Sequence, residues 1–117
     1  MKVEHLLAVV PVTDLHNGNR FYEALFGRSA DNNPMPTLVE WQVLPGGWVQ
    51  VFTDDERAGS GLLNFAVADL ETSIAELQKR GLNPGEITEA NKGVRLSTLT
   101  DPDGNTIRLV GGFRVEY

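Results

Sequence analysis

The sequence predicts an α+β fold built from two β-α-β-β-β modules, and three observations carry that prediction. A short unit occurs twice: Leu7-Ala8-Val9-Val10-Pro11-Val12-Thr13-Asp14-Leu15 is an apolar run closed by Asp-Leu, and fifty-five residues later Leu62-Leu63-Asn64-Phe65-Ala66-Val67-Ala68-Asp69-Leu70 is built the same way. Each unit leads into a helix-like stretch that stops at glycine, Phe21 to Gly27 in the first case and Ile74 to Gly81 in the second. Strand-like runs separated by turn residues follow each helix. The 117 residues therefore read as one domain of two pseudo-repeats, about 1–54 and 60–111. The groove between two such modules is a natural ligand site.

The elements follow in order. Val3 to Val12 reads as a buried strand with Pro11 near its exit. Asp14 is placed to cap the next helix, because its carboxylate accepts hydrogen bonds from the free N–H groups of the first turn. That helix is expected from Leu15 to Phe26, with Phe21, Tyr22 and Leu25 on its apolar face and Gly27 as its stop. The Asn- and Pro-rich stretch 31–36 reads as a loop. Leu38 to Leu44 and Trp48 to Thr53 form a hairpin around Pro45-Gly46-Gly47, and 54–60 links the halves. The second half repeats the order: a strand from Leu62 to Val67, a helix from Leu70 to Arg80 capped by Asp69, then strands Glu86 to Ala90, Val94 to Thr100 and Thr106 to Val110. Asp101-Pro102-Asp103-Gly104 is a strong turn signal between the last two.

Composition narrows the function classes. Hydrophobic residues make up 41% and charged residues 22%, the balance of a globular protein. No apolar run approaches the ~20 residues that span a bilayer, and the start lacks the basic, small-residue pattern of a secretory signal. The cytoplasm is the expected location, with no membrane partner. The absence of cysteine excludes disulfides, thiolate metal sites and cysteine nucleophiles. A formal charge of −6 disfavours nucleic acid, whose phosphates need a basic surface, and suits a cationic ligand.

Val12-Thr13-Asp14-Leu15, Phe21 to Gly27, Phe65 to Leu70 and Asp101-Pro102-Asp103-Gly104-Asn105-Thr106-Ile107-Arg108-Leu109 together resemble the vicinal oxygen chelate superfamily. That superfamily groups glyoxalase I, bleomycin-resistance proteins and extradiol dioxygenases. The resemblance implies sheets that curl around a shared cavity, usually in a homodimer. It also implies four metal-ligand positions, one on each of four cavity-facing strands, and these fall here on Leu7, Gln50, Leu62 and Arg108. Leucine offers no donor atom, and a guanidinium stays protonated and repels a cation. No metal and no other cofactor is expected. His5 lies two residues before Leu7, so alternation puts both on one strand face, but one histidine does not make a chelate.

Alternation outlines a groove wall instead. With Gln50 facing the groove, Trp48 and Phe52 face it too, while Val49 and Val51 pack on the helices. Arg108 shares its face with Thr106 and Val110, and Asn64 and Ala66 share the face of Leu62. Trp41 is expected at the groove edge. Trp48 is suited to stack on a flat ligand, with Gln50, Asn64 and Arg108 as polar anchors and His5 nearby. Arg108 has two readings: a clamp for an anionic group, or an internal ion pair with Glu40 or Glu4. Three functions compete. The first is a non-catalytic protein that sequesters a flat, partly apolar small molecule as a homodimer. The second is a dimer whose cavity has filled with side chains. The third is a glyoxalase-like lyase or dioxygenase-type enzyme using His5 or Glu40.

Overall fold

The computed structural model describes residues 1–114. Sheet 1 holds β1 (Leu6–Val12), β2 (Asn32–Met35), β3 (Leu38–Leu44) and β4 (Gly47–Thr53) in the order β1-β4-β3-β2. Helix α1 (Leu15–Phe26) joins β1 to β2. Sheet 2 holds β5 (Leu62–Val67), β6 (Thr88–Glu89), β7 (Arg95–Thr100) and β8 (Thr106–Gly111) in the order β5-β8-β7-β6, with α2 (Leu70–Lys79) joining β5 to β6. In each module the first strand runs parallel to the last and the remaining pairs are antiparallel. Both modules are therefore β-α-β-β-β, as the repeat predicts. Among the described residues no helix is long and apolar enough to cross a membrane.

Local chemistry accounts for the helix ends. The Asp14 carboxylate accepts from the backbone N–H groups of His16 and Asn17, and that of Asp69 accepts from Thr72 N–H. Gly27 ends α1 in the left-handed region at φ 73°, where its N–H donates to the Glu23 carbonyl. The strand boundaries depart from expectation in three places. The stretch 31–36 is not a loop throughout: Asn32–Met35 pairs with β3 as an exposed edge strand and completes module 1. The first strand begins at Leu6 rather than Val3, beside the hairpin whose Gly46 carbonyl accepts from Leu6 N–H. The strand expected over 86–90 shrinks to Thr88–Glu89, because Gly85 N–H already donates to the Thr98 carbonyl outside the ladder and a tight turn over 91–93 follows.

The helix-facing sides of both sheets form one core. It contains Val10, Val12, Val49 and Val51 from sheet 1, Ile107 and Leu109 from sheet 2, and Tyr22, Leu25, Leu70 and Leu77 from the helices. Trp41 belongs to it and is fully buried, with Nε1–H donating to the Arg28 carbonyl at 3.0 Å. The expectation that Trp41 edges the groove is thus corrected. Trp41 pairs with Val49, so it shares the helix-facing side of the sheet. Phe26 of module 1 meets Phe65 of module 2 edge to face, 5.8 Å between centroids.

The modules are tied by the turn 101–105. The Asp101 carboxylate is buried and accepts from Tyr22 Oη–H (2.9 Å), from Asn105 Nδ2–H (2.8 Å) and from the backbone N–H groups of Asp103 and Asn105. Asn105 donates from the same amide to the Pro11 carbonyl at 2.7 Å, and its Oδ1 accepts from Gly61 N–H at 2.7 Å. A Cβ on Gly61 would lie 2.8 Å from that oxygen, so only glycine permits this approach. Asp103 accepts from both N–H and Oγ1–H of Thr13. Each polar side chain of the turn therefore reaches into module 1.

Two predictions follow from this tie. Asn105→Ala orphans the buried Pro11 carbonyl and the Gly61 N–H, at about 1–3 kcal/mol for each group. Thermal melting by circular dichroism should show a fall on the order of 10 °C; an unchanged midpoint would refute the tie. Burial, reinforced by the Asp101 charge, pushes the Tyr22 phenol far above its ordinary range. Below the unfolded phenol value of about 10, both states keep the proton and the contribution is complete. Above it the unfolded chain releases the proton while the folded chain holds it, so stability falls as pH rises. Denaturant titrations from neutral to alkaline pH should show a shallower decline for Tyr22→Phe than for the wild type.

Candidate functional site

The sides of the two sheets that face away from the helices are the surfaces on which the sequence placed a groove. On sheet 1, Trp48, Gln50 and Phe52 of β4 stand side by side and half-buried. Their neighbours on β1 are Leu7, Val9 and Pro11, and on β3 they are Gln42, Glu40 and Leu38. Alternation produces this directly, since Val49 and Val51 between them are buried on the helix side. The centre of the face is polar. Gln50 Nε2–H donates to Glu40 Oε1 at 3.1 Å, and Asn32 Nδ2–H donates to Glu40 Oε2 at 3.3 Å. At one end Trp48 Nε1–H donates to His5 Nδ1 at 3.2 Å, which requires that nitrogen to be unprotonated. An indole, an amide, a carboxylate and an imidazole thus share one outward face.

Sheet 2 presents the matching side. Leu62, Asn64 and Ala66 of β5 are exposed, and Thr106, Arg108 and Val110 of β8 are half-buried beside them. Ile107 and Leu109 lie in the core. Arg108 sits between Asn64 on β5 and Thr98 on β7. The structure overturns the internal ion pair offered for it: among the described residues neither Glu40 nor Glu4 reaches Arg108, and no carboxylate pairs with it. The reason is topological. Glu40 and Arg108 stand on different sheets, and no strand of one sheet pairs with a strand of the other.

Within one chain the two faces do not close over a common cavity, and Leu7 and Leu62 are 52% and 53% exposed. The space between the modules is a separate cleft of about 500 Å³ beside the C-terminal ends of the helices, lined by Phe26, Leu44, Phe65, Glu76 and Arg80 among others. Of the residues expected in a groove, Asn64 lines this cleft, while His5, Trp48, Gln50, Phe52 and Arg108 do not. The Arg80 guanidinium there donates to the Ala24 and Leu25 carbonyls and so caps α1 from the other module. The sequence placed a ligand groove between the modules but lined it with other residues, of which this cleft contains only Asn64. No periodicity in either half announces that two helix ends and a hairpin will meet.

The strand registers also decide the fit of a metal. Val9 pairs with Gln50 and Asn64 pairs with Arg108, and Val9 and Asn64 each lie two residues beyond the equivalent leucines Leu7 and Leu62. Gln50 and Arg108 are therefore equivalent positions of the repeat. The four positions at which the superfamily places ligands hold two exposed leucines, an amide already donating to Glu40, and a guanidinium. Among the described residues no three of His, Cys, Asp and Glu come together as a ligand set. This donor set does not fit a divalent ion.

The comparisons with known proteins agree with this architecture. The glyoxalase-like domain family matches residues 7–110. A glyoxalase/bleomycin resistance protein from Catenulispora acidiphila DSM 44928 is 28% identical, with a TM-score of 0.85 over 92% of this chain and 96% of that one. TnmS3, an antibiotic binding protein from Streptomyces sp. CB03234, is 21% identical with a TM-score of 0.71 over 95% and 98%. A lactoylglutathione lyase from Agrobacterium tumefaciens is 18% identical with a TM-score of 0.73 over 92% of each chain. The last two likenesses show the fold alone. No curated protein matches the chain. The family match runs through both repeats, from β1 to β8, and the chain belongs to the glyoxalase-like domain family of the vicinal oxygen chelate superfamily.

Proposed function

We propose that the chain is a metal-free small-molecule-binding protein of the glyoxalase/bleomycin-resistance type, acting in the cytoplasm to sequester a flat, partly apolar ligand. One observation carries the reading: Trp48, Gln50 and Phe52 stand together on an outward sheet face, with the Glu40 carboxylate at its centre. A planar ligand lying there stacks on the indole and covers Phe52, Leu7 and Val9, while Gln50 and Glu40 set its polar end. The carboxylate favours a donor or a positive charge on the ligand, in line with the net charge of −6. An antibiotic binding protein has the same fold, so the scaffold is compatible with a binding role. Such a role also suits positions where leucine and arginine replace donors that a metal-dependent lyase would need.

Trp48 supplies its own reporter, because Trp41 is fully buried and contributes a constant background. A screen of planar aromatic amines, read by quenching of tryptophan emission, should yield binders. Trp48→Ala should weaken them at least about threefold, since stacking contributes about 0.5–1.5 kcal/mol beyond area burial. Affinities unchanged in Trp48→Ala, followed by calorimetry, would remove the reading. Metal content gives a second check. After exhaustive desalting, elemental analysis should find no stoichiometric zinc, nickel, iron or manganese, and one ion per chain would overturn the metal-free assignment.

A further inference from the structure

At one end of the outward face of sheet 1, the Trp48 indole N–H is met by a titratable acceptor. It donates to His5 Nδ1 at 3.2 Å, and the two rings lie tilted at 56° with their centroids 6.4 Å apart. His5 precedes β1, yet the chain around it is held. Leu6 N–H donates to the Gly46 carbonyl, and the Glu4 carbonyl lies 3.3 Å from where a Cβ on Gly46 would stand. The β3–β4 hairpin tip thus contacts the residues on both sides of His5 and keeps the imidazole beside the indole. An indole can only donate, so it needs an acceptor opposite it. A neutral imidazole supplies one, whereas an imidazolium carries N–H groups at both nitrogens and does not. Imidazole is also the side chain that ordinarily changes charge between pH 5 and 8.

We propose that His5 is a positioning residue for Trp48 and a proton-operated switch on this face. Neutral, it fixes the indole; protonated, it releases the indole and sets a positive charge beside the ligand. The effect on a ligand rests on the flat-ligand reading given above, while the switch on the indole does not. The surroundings leave the switch to His5. Glu40 is the one ionisable side chain on the outward face of β1, β3 and β4, and β2 adds none. Carboxylates ordinarily titrate below the imidazole range. Arg28 and Asp31, which bond to the backbone of Gln42 opposite Trp48, pair with each other. Lys2 and Glu4 share the segment of His5 and keep their charges between pH 5 and 8 in their ordinary ranges. With His5 neutral, the cationic end of a ligand meets only the Glu40 carboxylate on this face. With His5 protonated, the imidazolium repels that cation and competes for the same carboxylate. Binding is therefore tighter at the alkaline end of the interval than at the acidic end.

The two indole N–H groups report separately in nitrogen–proton NMR spectra, because Trp41 donates to a backbone carbonyl that does not titrate. From pH 8 to pH 5 the Trp48 resonance should move with a one-proton profile while that of Trp41 stays. His5→Asn keeps an acceptor oxygen at the place of Nδ1 and should abolish the movement. His16→Gln, in the exposed first turn of α1, should leave it unchanged. Binding is read by calorimetry with N-methylquinolinium, a planar cation that has no titratable proton of its own. The wild type should bind it at least about threefold more weakly at pH 5 than at pH 8, and His5→Asn should bind it equally at both. A Trp48 resonance indifferent to pH, a movement that survives in His5→Asn, or a wild-type affinity equal at the two pH values overturns the proposal. A probe that binds at neither pH counts against the flat-ligand reading instead, and the resonance then decides the switch by itself.

Discussion

The arrangement of the two modules depends on one buried carboxylate. Asp101 lies at the start of the last hairpin turn, 4% exposed, and accepts four hydrogen bonds. A buried carboxylate is tolerated only when such bonds replace its hydration, and a missing partner is costly because the charge remains. Two of the four donors come from its own turn backbone and shape it. The others, Tyr22 and Asn105, make that turn a joint: Tyr22 anchors the middle of α1, and Asn105 holds the end of β1 and the start of β5. Hydrophobic burial alone would press the two helix-bearing sides together without choosing an angle. The directional bonds of this cluster choose it.

That choice has a consequence for function. With the helices and the helix-facing sides of both sheets in one core, the opposite sides must look outward. Arg80 enforces the same geometry from the far end of α2, where it caps the last carbonyls of α1. The faces most suited to chemistry are therefore those the chain cannot cover by itself, and the space between its own modules is lined mainly by helix ends and a hairpin.

Much of this was legible in the sequence, and the limits have physical causes. Helix α1 begins and ends where the Asp14 cap and Gly27 stop place it, and Leu62–Val67 appears as read, because caps and strong periodicity are local signals. The side assignments of Trp48, Gln50 and Phe52 against Val49 and Val51 needed only the two-residue period of a strand. Strand β2 was not legible: Asn32, Asn33 and Pro34 carry no β-propensity, and the strand exists because β3 offers an edge. Trp41 was misplaced although the signal was present. Val39, Trp41 and Val43 alternate with the polar Glu40 and Gln42, and that pattern puts the indole with the valines in the core. The turn 101–105 was read correctly as a turn and incompletely as an element. Its partners Tyr22 and Pro11 lie 79 and 94 residues away, beyond any local pattern.

The repeat explains how one scaffold can hold such different sites. Two copies of a module place equivalent strand positions at equivalent places on two sheets, so a site built across both faces draws each half from the same backbone geometry. A metal centre uses that by setting donor atoms at all four converging positions. Here the same four hold Leu7, Gln50, Leu62 and Arg108, and the middle strands add Glu40 on one side and Thr98 on the other. The exchange keeps the backbone and replaces coordination by burial and charge. Leucines contribute apolar area instead of lone pairs, and the arginine brings a fixed positive charge where a cation would otherwise sit.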